Sequence, residues 1–109
     1  MKPRSHVLIF DHRFVPAVQS GKKRQTYRKQ RAREIRPGDW LLLRTWSGVA
    51  YRSKQTDIAD VVCTSVEKVT LTAESITEEM ARADGFACRE DMILYFDPPF
   101  EGVLIEWSD

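Results

Sequence analysis

The sequence has few cysteines and histidines and no long apolar run, and each scarcity excludes a class of protein. Cys63 and Cys88 are its only cysteines, and neither belongs to a CxxC pair, so neither a disulfide framework nor a structural zinc site is expected. His6 and His12 have too few companions for a metal site, so we interpret both as structural and expect no metal or other cofactor. No apolar stretch approaches the roughly 18 residues that a membrane span needs.

The remaining composition is typical of a soluble globular protein. The hydrophobic fraction is 42% and the charged fraction is 30%, over a length of 109 residues that suits one domain covering residues 1–109. The early apolar stretch Val7–Phe10 is too short for a secretory signal, and no small-residue cleavage site follows it. We therefore expect a cytoplasmic protein, monomeric and without a membrane partner.

Charge is distributed unevenly along the chain. Residues 1–54 hold 14 Lys/Arg and three acids, whereas residues 55–109 hold three Lys/Arg and 13 acids. Such asymmetry indicates a positive face for an anionic partner. The alternative is that the two halves neutralise each other in the fold. Eight of the cations lie between Lys22 and Arg36, where Glu34 is the only acid, which favours some real basic surface.

The basic segment and nearby aromatic residues predict contacts to a nucleic acid. Extended backbone from Gln25 would place Arg24, Thr26 and Arg28 on the side opposite Lys23. Cationic side chains along such a segment suit the phosphates of a polyanion. The candidate phosphate contacts are Arg24, Arg28, Lys29, Arg31, Arg33 and Arg36. Trp46 and Tyr51 are candidates for stacking on bases, whereas Trp40 and Trp107 are expected in the core.

Periodicity and turn signals predict strands and short helices in the order β-α-β-β-β-α-α-β. The predicted strands are Val7–Asp11, Gln25–Arg28, Trp40–Trp46, Ile58–Leu71 and Val103–Trp107. The predicted helices are Phe14–Ser20, Thr77–Ala83 and Cys88–Phe96, the last with Met92, Ile93, Tyr95 and Phe96 facing inward. A turn is expected at Pro37–Asp39, and a bulge near Ser65–Glu67. This order predicts an α+β fold, a small mixed or antiparallel barrel with helices at its rim.

A set of motifs in fixed order gives the sequence a family resemblance. They are Arg13-Phe14, Gly21-x-Lys23-x-x-Thr26-x-Arg28, Gly38-Asp39 before an apolar strand, Val66–Val69, Ala81-x-x-Asp84-Gly85-Phe86, Tyr95-Phe96 and Ile105-x-Trp107. Together they span nearly the whole chain. On these residues the sequence resembles an ASCH domain, a member of the PUA-like superfamily.

The resemblance implies a fold, a ligand class and a set of site residues. It implies a pseudo-barrel of about five or six strands, with a cleft between barrel and helices that takes RNA or a modified nucleoside. Some relatives are amidohydrolases that remove the acetyl group of a modified cytidine, with a lysine, a threonine and a glutamate as proposed catalytic groups. These carry over to Lys23, Thr26 and Asp84. The family more often has Glu at the last position, and the shorter Asp could shift the carboxyl group by about an ångström.

Two functions therefore remain open. The first is an RNA- or nucleoside-binding domain that uses the basic segment and the cleft. The second is a small metal-independent hydrolase acting on an N4-acetylcytidine-like nucleoside, or a ribonuclease. In it Thr26 is the nucleophile and Lys23 its base, and Asp84 either handles the leaving-group proton or holds the lysine. From residue chemistry alone, Lys23 is an ordinary solvated lysine, Thr26 a strand former and Asp84 a polar helix end. A bare interaction module with an acidic second half is a third possibility.

Overall fold

The computed structural model describes residues 3–49 and 52–108, and this part of the chain contains five strands and three α-helices. The strands are β1 (Ser5–Ile9), β2 (Gln25–Arg28), β3 (Trp40–Trp46), β4 (Gln55–Leu71) and β5 (Phe100–Ser108). The helices are a 3₁₀ turn (His12–Phe14), α1 (Val15–Gln19), α2 (Glu78–Ala83) and α3 (Arg89–Phe96). The predicted element order is confirmed, and the molecule is a small, compact α+β fold.

The strands form one mixed sheet in the order β1-β3-β4-β5-β2. Among the described strands, only the β1–β3 pair is parallel, and the other three ladders are antiparallel. The β4–β5 ladder shifts register between Cys63 and Ser65, which confirms a bulge close to the predicted place. Within the described residues no ladder joins β1 to β2, so these two strands are the edges of the sheet.

Alternation along β3 decides which side chains enter the core. Leu41 and Leu43 are fully buried, whereas Trp40 is 45% exposed. The prediction that Trp40 lies in the core is wrong, because it begins the strand out of phase with Leu41 and so faces outward. The prediction for Trp107 is confirmed, since it is buried and its ring lies 6.1 Å from that of Phe10 in an edge-to-face contact.

Local signals place the two later helices accurately. Thr77 caps α2 by accepting a hydrogen bond from the Met80 N–H at 3.1 Å. In α3, Met92 is fully buried as predicted, but Tyr95 is 51% exposed. The prediction of an inward Tyr95 is therefore wrong in part, because its ring packs against Phe14 and Phe86 while about half of its surface stays exposed. Among the described helices, none has the length and apolar character of a membrane span.

Asp39 ties the start of β1 to the turn before β3. Its carboxylate contacts His6 Nε2 at 2.8 Å and accepts from the backbone N–H groups of Arg4 at 3.2 Å and Arg36 at 3.1 Å. Burial acts to raise the pKa of Asp39, but the His6 contact and the two backbone donors outweigh it and lower the pKa to about 2. The predicted turn at 37–39 is therefore part of the packing that holds two strands together.

Candidate functional site

A recess of about 90 Å³ opens where β2 meets the 3₁₀ turn and the ends of α2 and α3. Its walls are formed by Ile9, Phe10, Asp11, Phe14, Lys23, Thr26, Tyr27, Arg28, Asp84, Phe86, Tyr95 and Phe96. The three residues predicted as catalytic, Lys23, Thr26 and Asp84, all line this recess and are all buried. The structure therefore brings together groups that are up to 61 residues apart in the chain.

Lys23 enters the recess because the chain turns sharply after α1. Its backbone N–H donates to the Ala17 carbonyl at 2.9 Å, and β2 begins only at Gln25. Strict alternation therefore does not extend to Lys23. Lys23 and Thr26 both line the recess, although alternation alone would place them on opposite sides of an extended strand.

Lys23 is enclosed by the end of α2 and two aromatic rings. Its Nζ lies 3.0 Å from Asp84 Oδ1 and also donates to the Asp84 backbone carbonyl. The same Nζ lies 4.9 Å from the Phe14 ring centroid and 5.8 Å from that of Phe10. The side chain is 2% exposed, so the ammonium group exchanges its water shell for one carboxylate, one carbonyl and two ring faces.

Burial shifts both members of the Lys23–Asp84 pair toward their neutral forms. It lowers the pKa of Lys23, and the nearby Asp84 carboxylate offsets only part of that effect. It likewise raises the pKa of Asp84, against the opposing influence of Lys23. A proton shared by this pair is consequently easier to move than one held by an exposed lysine.

The Asp84 carboxylate has room for a donor beyond Lys23. Oδ1 lies 3.0 Å from the Lys23 ammonium, and a carboxylate oxygen has lone pairs for a second donor as well. Buried carboxylate oxygens are usually saturated with donors. A ligand in the recess that carries an N–H group could donate this additional hydrogen bond to Asp84 Oδ1.

Arg28 and Thr26 form the wall beside this pair. Arg28 Nε donates to Thr26 Oγ1 at 3.0 Å, which leaves the threonine hydroxyl proton to donate elsewhere. Arg28 Nη2 donates to the Ile9 carbonyl at 2.8 Å, and its guanidinium lies 4.6 Å from the Phe10 ring centroid. No carboxylate in the described ranges forms an ion pair with Arg28, and burial lowers its pKa. The groups that accept hydrogen bonds from Arg28 are therefore neutral, while the Asp84 carboxylate stabilises its charge from a longer distance.

An aromatic rim surrounds the recess, and residue chemistry alone did not assign it to the site. The Phe14 ring lies 5.2 Å from Phe86 and 5.8 Å from Tyr95 in edge-to-face contacts. Arg13 lies over the Phe14 ring at 5.1 Å and forms an ion pair with Asp91. The motifs Arg13-Phe14, Gly85-Phe86 and Tyr95-Phe96 were the available signal, but such residues are equally typical of a core.

Most of the predicted phosphate contacts lie outside the recess, on the edge of the sheet and the segment after β2. Lys29 Nζ lies 4.9 Å from the Phe100 ring centroid, and Arg31 Nη1 donates to the Val7 carbonyl at 3.3 Å. Arg33 and Arg36 are exposed, and Arg24 is exposed with its Nε donating to the Gly21 carbonyl at 3.1 Å. Lys29, Arg31, Arg33 and Arg36 form no ion pair with a carboxylate in the part of the chain that is described.

Of the two predicted stacking residues, Trp46 does not join the recess. Trp46 is half-buried at the end of β3 and is not among the residues that line the recess. Tyr51 lies outside the described residues. Within the described ranges, no group of three His, Cys, Asp or Glu side chains could hold a metal ion.

Comparison of the chain with protein-family models, with curated proteins and with solved structures finds no match. Conclusions about function therefore depend on the geometry of the recess and of the basic residues beside it.

Proposed function

We propose that this chain is an RNA- or nucleoside-binding domain of the ASCH type, with a base edge as the group that enters the recess. The observation that carries the proposal is the convergence of Lys23, Thr26 and Asp84 on one small cavity. A base edge presents amino N–H groups beside carbonyl or ring-nitrogen acceptors. Asp84 Oδ1 can accept from the amino N–H groups, and Lys23 and Thr26 can donate to the carbonyl or ring-nitrogen acceptors.

The size of the recess limits how much of a ligand it encloses. Its volume of about 90 Å³ is smaller than the ~150 Å³ of a cavity that binds benzene. An exocyclic group or one edge of a base fits inside, and the remaining ligand lies at the mouth. There the half-exposed ring of Tyr95 offers a surface for stacking.

The finer architecture belongs to the same proposal. We infer a PUA-like pseudo-barrel in which side chains, rather than a ladder, link the two edges of the sheet. Arg28, which ends β2, donates to the Ile9 carbonyl of β1, and Arg31 donates to the Val7 carbonyl. These contacts support edges that face each other and are bridged by arginine side chains.

Nucleoside binding is tested by replacing Thr26 with valine, which keeps the side-chain shape and removes the hydroxyl. We expect Thr26→Val to weaken binding of cytidine and N4-acetylcytidine at least tenfold in an NMR titration, because a buried polar partner is lost. Thr64→Val is the matched control, since Thr64 is an exposed strand residue away from the recess. Equal affinity of the two variants would exclude the recess as the nucleoside site.

A second candidate is hydrolysis of an acylated nucleoside, favoured by the hydrogen bond between Arg28 and Thr26. A guanidinium donor on the Thr26 oxygen stabilises negative charge as the hydroxyl proton leaves. Burial lowers the pKa of Lys23 and so favours the neutral amine that can accept this proton. Together they supply a nucleophile and a base without a metal ion.

The reaction then proceeds in two balanced steps. Thr26 Oγ1 forms a bond to the acyl carbon as its proton passes to Lys23, and the negative charge on the acyl oxygen is stabilised by the cations of the recess. The C–N bond breaks, and the leaving amine takes the proton from Lys23. Water next attacks the acyl-threonine with Lys23 again as base, which releases the carboxylic acid and restores Thr26. Asp84 holds the lysine in place and balances its charge.

Hydrolysis is tested by following the loss of N4-acetylcytidine, with Thr26→Ser and Thr26→Val compared. The serine variant retains the nucleophilic oxygen and should keep measurable turnover, whereas the valine variant should lose at least 100-fold. Lys23→Met should be inactive while Lys22→Met, which removes an exposed neighbouring cation, remains active. Unchanged turnover in Thr26→Val would exclude the mechanism, and the same variants incubated with RNA test strand cleavage.

A further inference from the structure

We propose that the open edge of β1 and the basic residues beside it form a groove for the phosphodiester backbone of a single-stranded nucleic acid. The groove leads into the recess, so this inference rests on the proposed function and deepens it: the ligand is a nucleotide within a strand rather than a free nucleoside.

The groove is a cavity of about 380 Å³ along the edge of the sheet. Its walls are formed by Val7, Leu8, Ile9, Arg28, Lys29 and Arg31, without an acidic residue among them. Ile9 and Arg28 also line the recess, so the two cavities share a wall. A strand lying in the groove could therefore place one base in the recess.

Hydrogen bonding at the two ends of β1 fixes which backbone groups face the groove. The Trp40 N–H donates to the Arg4 carbonyl at 2.8 Å, and the Phe10 N–H donates to the Arg44 carbonyl at 2.8 Å. Residues of even number in this strand therefore pair with β3. Because successive residues alternate, Ser5, Val7 and Ile9 direct their N–H and C=O groups to the open edge.

Two arginine side chains donate hydrogen bonds to carbonyls of this edge, whereas its N–H groups have no such partner. Arg28 donates to the Ile9 carbonyl at 2.8 Å, and Arg31 donates to the Val7 carbonyl at 3.3 Å. The Val7 and Ile9 N–H groups donate to no acceptor in the described part of the chain. The groove thus presents backbone donors and cations together, which is the chemistry of an anion site.

The same arrangement favours a nucleic acid over a peptide strand. Addition of a β-strand needs both the carbonyls and the N–H groups of the edge, and arginine side chains already occupy two of those carbonyls. The Val7 and Ile9 N–H groups repeat at about 6.7 Å, twice the rise of a strand, which is close to the spacing of successive phosphates in an extended strand. Arg28, Lys29 and Arg31 form no ion pair with a described carboxylate, so their charges are open to phosphates.

The direct test is a ¹⁵N NMR titration of the full chain with oligouridylate of six nucleotides. We expect the Val7 and Ile9 amide resonances to shift downfield on binding, and those of His6 and Leu8, which face β3, to move much less. A hexaglutamate peptide of similar charge is titrated separately as the comparison ligand. Equal shifts with that peptide, or no shift of Val7 and Ile9 with the oligonucleotide, would overturn the proposal.

Arg31→Gln and Arg33→Gln provide a matched pair, because both remove one exposed cation from the same segment and only Arg31 lines the groove. Arg31→Gln should weaken oligouridylate binding five- to tenfold. It should also make the dependence of log affinity on log salt concentration shallower, by the amount expected for the loss of about one phosphate contact. Arg33→Gln should change affinity less than twofold. Equal losses in the two variants would indicate diffuse attraction and would overturn the groove.

The failure of this inference can be told apart from failure of the recess. If Thr26→Val leaves nucleoside binding unchanged, yet the oligonucleotide still shifts Val7 and Ile9, the groove stands and the recess proposal fails. If nucleosides bind in a manner that depends on Thr26, but the oligonucleotide binds no more tightly than uridine, the recess stands and the groove is overturned.

Discussion

Among single residues, Lys23 is the least expected, because a lysine that is 2% exposed loses its hydration. A buried ion pair seldom stabilises a fold more than an apolar pair of the same shape would. The Lys23–Asp84 contact is therefore weak evidence for stability, and the proposed function is what gives it a role in the recess. Its neighbour Gly85 shows how tightly the lysine stem is packed: a Cβ there would lie 3.1 Å from both Lys23 Cδ and Phe14 Cδ1.

Gly85→Ala should destabilise the fold and displace the lysine. Gly85 has φ +91°, a conformation that a side chain disfavours, and the added methyl group would also overpack Lys23. We expect the free energy of unfolding to fall by about 2–4 kcal/mol, measured by urea denaturation.

Gly38→Ala separates backbone strain from packing. Gly38 has φ +95°, but a Cβ there would meet nothing within 4 Å. Its substitution should therefore cost only the strain, about 1 kcal/mol. A loss as large as that of Gly85→Ala would show that close packing against Lys23 contributes little.

The sequence could name the members of this site but not its geometry. The spacing of Lys23 and Thr26 and the residues Asp84-Gly85 carried a resemblance, and the structure brings all three side chains to one recess. The hydrogen bond from Arg28 to Thr26 has no signal in the sequence, because a cation within a basic segment is typical of an exposed surface. Burial depends on contacts between distant segments, which a local pattern does not encode.

Among elements, the turn that precedes β3 depends on Asp39, and this contact should be visible in the pH dependence of stability. The folded-state pKa of Asp39 is about 2 and its ordinary value is 3.8, so the unfolded chain binds the proton more tightly. The contribution of the ionised Asp39 carboxylate to the free energy of unfolding is therefore fully present above pH 3.8 and is lost as the pH falls toward 2. Asp39→Asn should destabilise the protein by about 1–2 kcal/mol near pH 6, and the difference from wild type should shrink at pH 2–3.

Asp57→Asn is the control for this experiment, since the Asp57 side chain is 79% exposed while it contacts Arg44 at 3.0 Å. Exposed pairs contribute little, so its unfolding free energy should stay within about 0.5 kcal/mol of wild type. An Asp39→Asn deficit that is the same at pH 6 and pH 2.5 would contradict the role of the carboxylate charge.

Element types were predictable from local sequence, whereas their partners were not. Thr77 and the acids after it identify α2, a run of apolar residues identifies β3, and alternating apolar residues identify β4. The parallel pairing of β1 with β3 and the edge position of β2 have no local signature, because they are set by packing across the sheet. The errors at Trp40 and Tyr95 have the same cause, since which face is inward depends on those partners.

At the scale of the whole molecule, both interpretations of the charge asymmetry hold in part. Arg13 with Asp91, Lys23 with Asp84, and Arg44 with Asp57 pair the basic half with the acidic half. Beyond these pairs, the groove along β1 and the segment after β2 keep cations that no described carboxylate neutralises. The result is a molecule near neutrality, at a formal net charge of +1, with one positive edge.

That positive edge should make nucleic-acid binding far more sensitive to salt than stability is. The groove has three cations, Arg28, Lys29 and Arg31. For a single strand they predict a slope of about −2 in a plot of log affinity against log salt concentration, so oligouridylate affinity should fall roughly 20-fold between 50 and 200 mM salt. The core is apolar, and the melting temperature measured at the same salts should change by only a few degrees. Binding is measured by fluorescence anisotropy at each salt concentration, with the protein shown to be folded by circular dichroism. A flat affinity across this range would mean that phosphates are not bound at the edge, and a parallel fall in melting temperature would assign the loss of binding to unfolding.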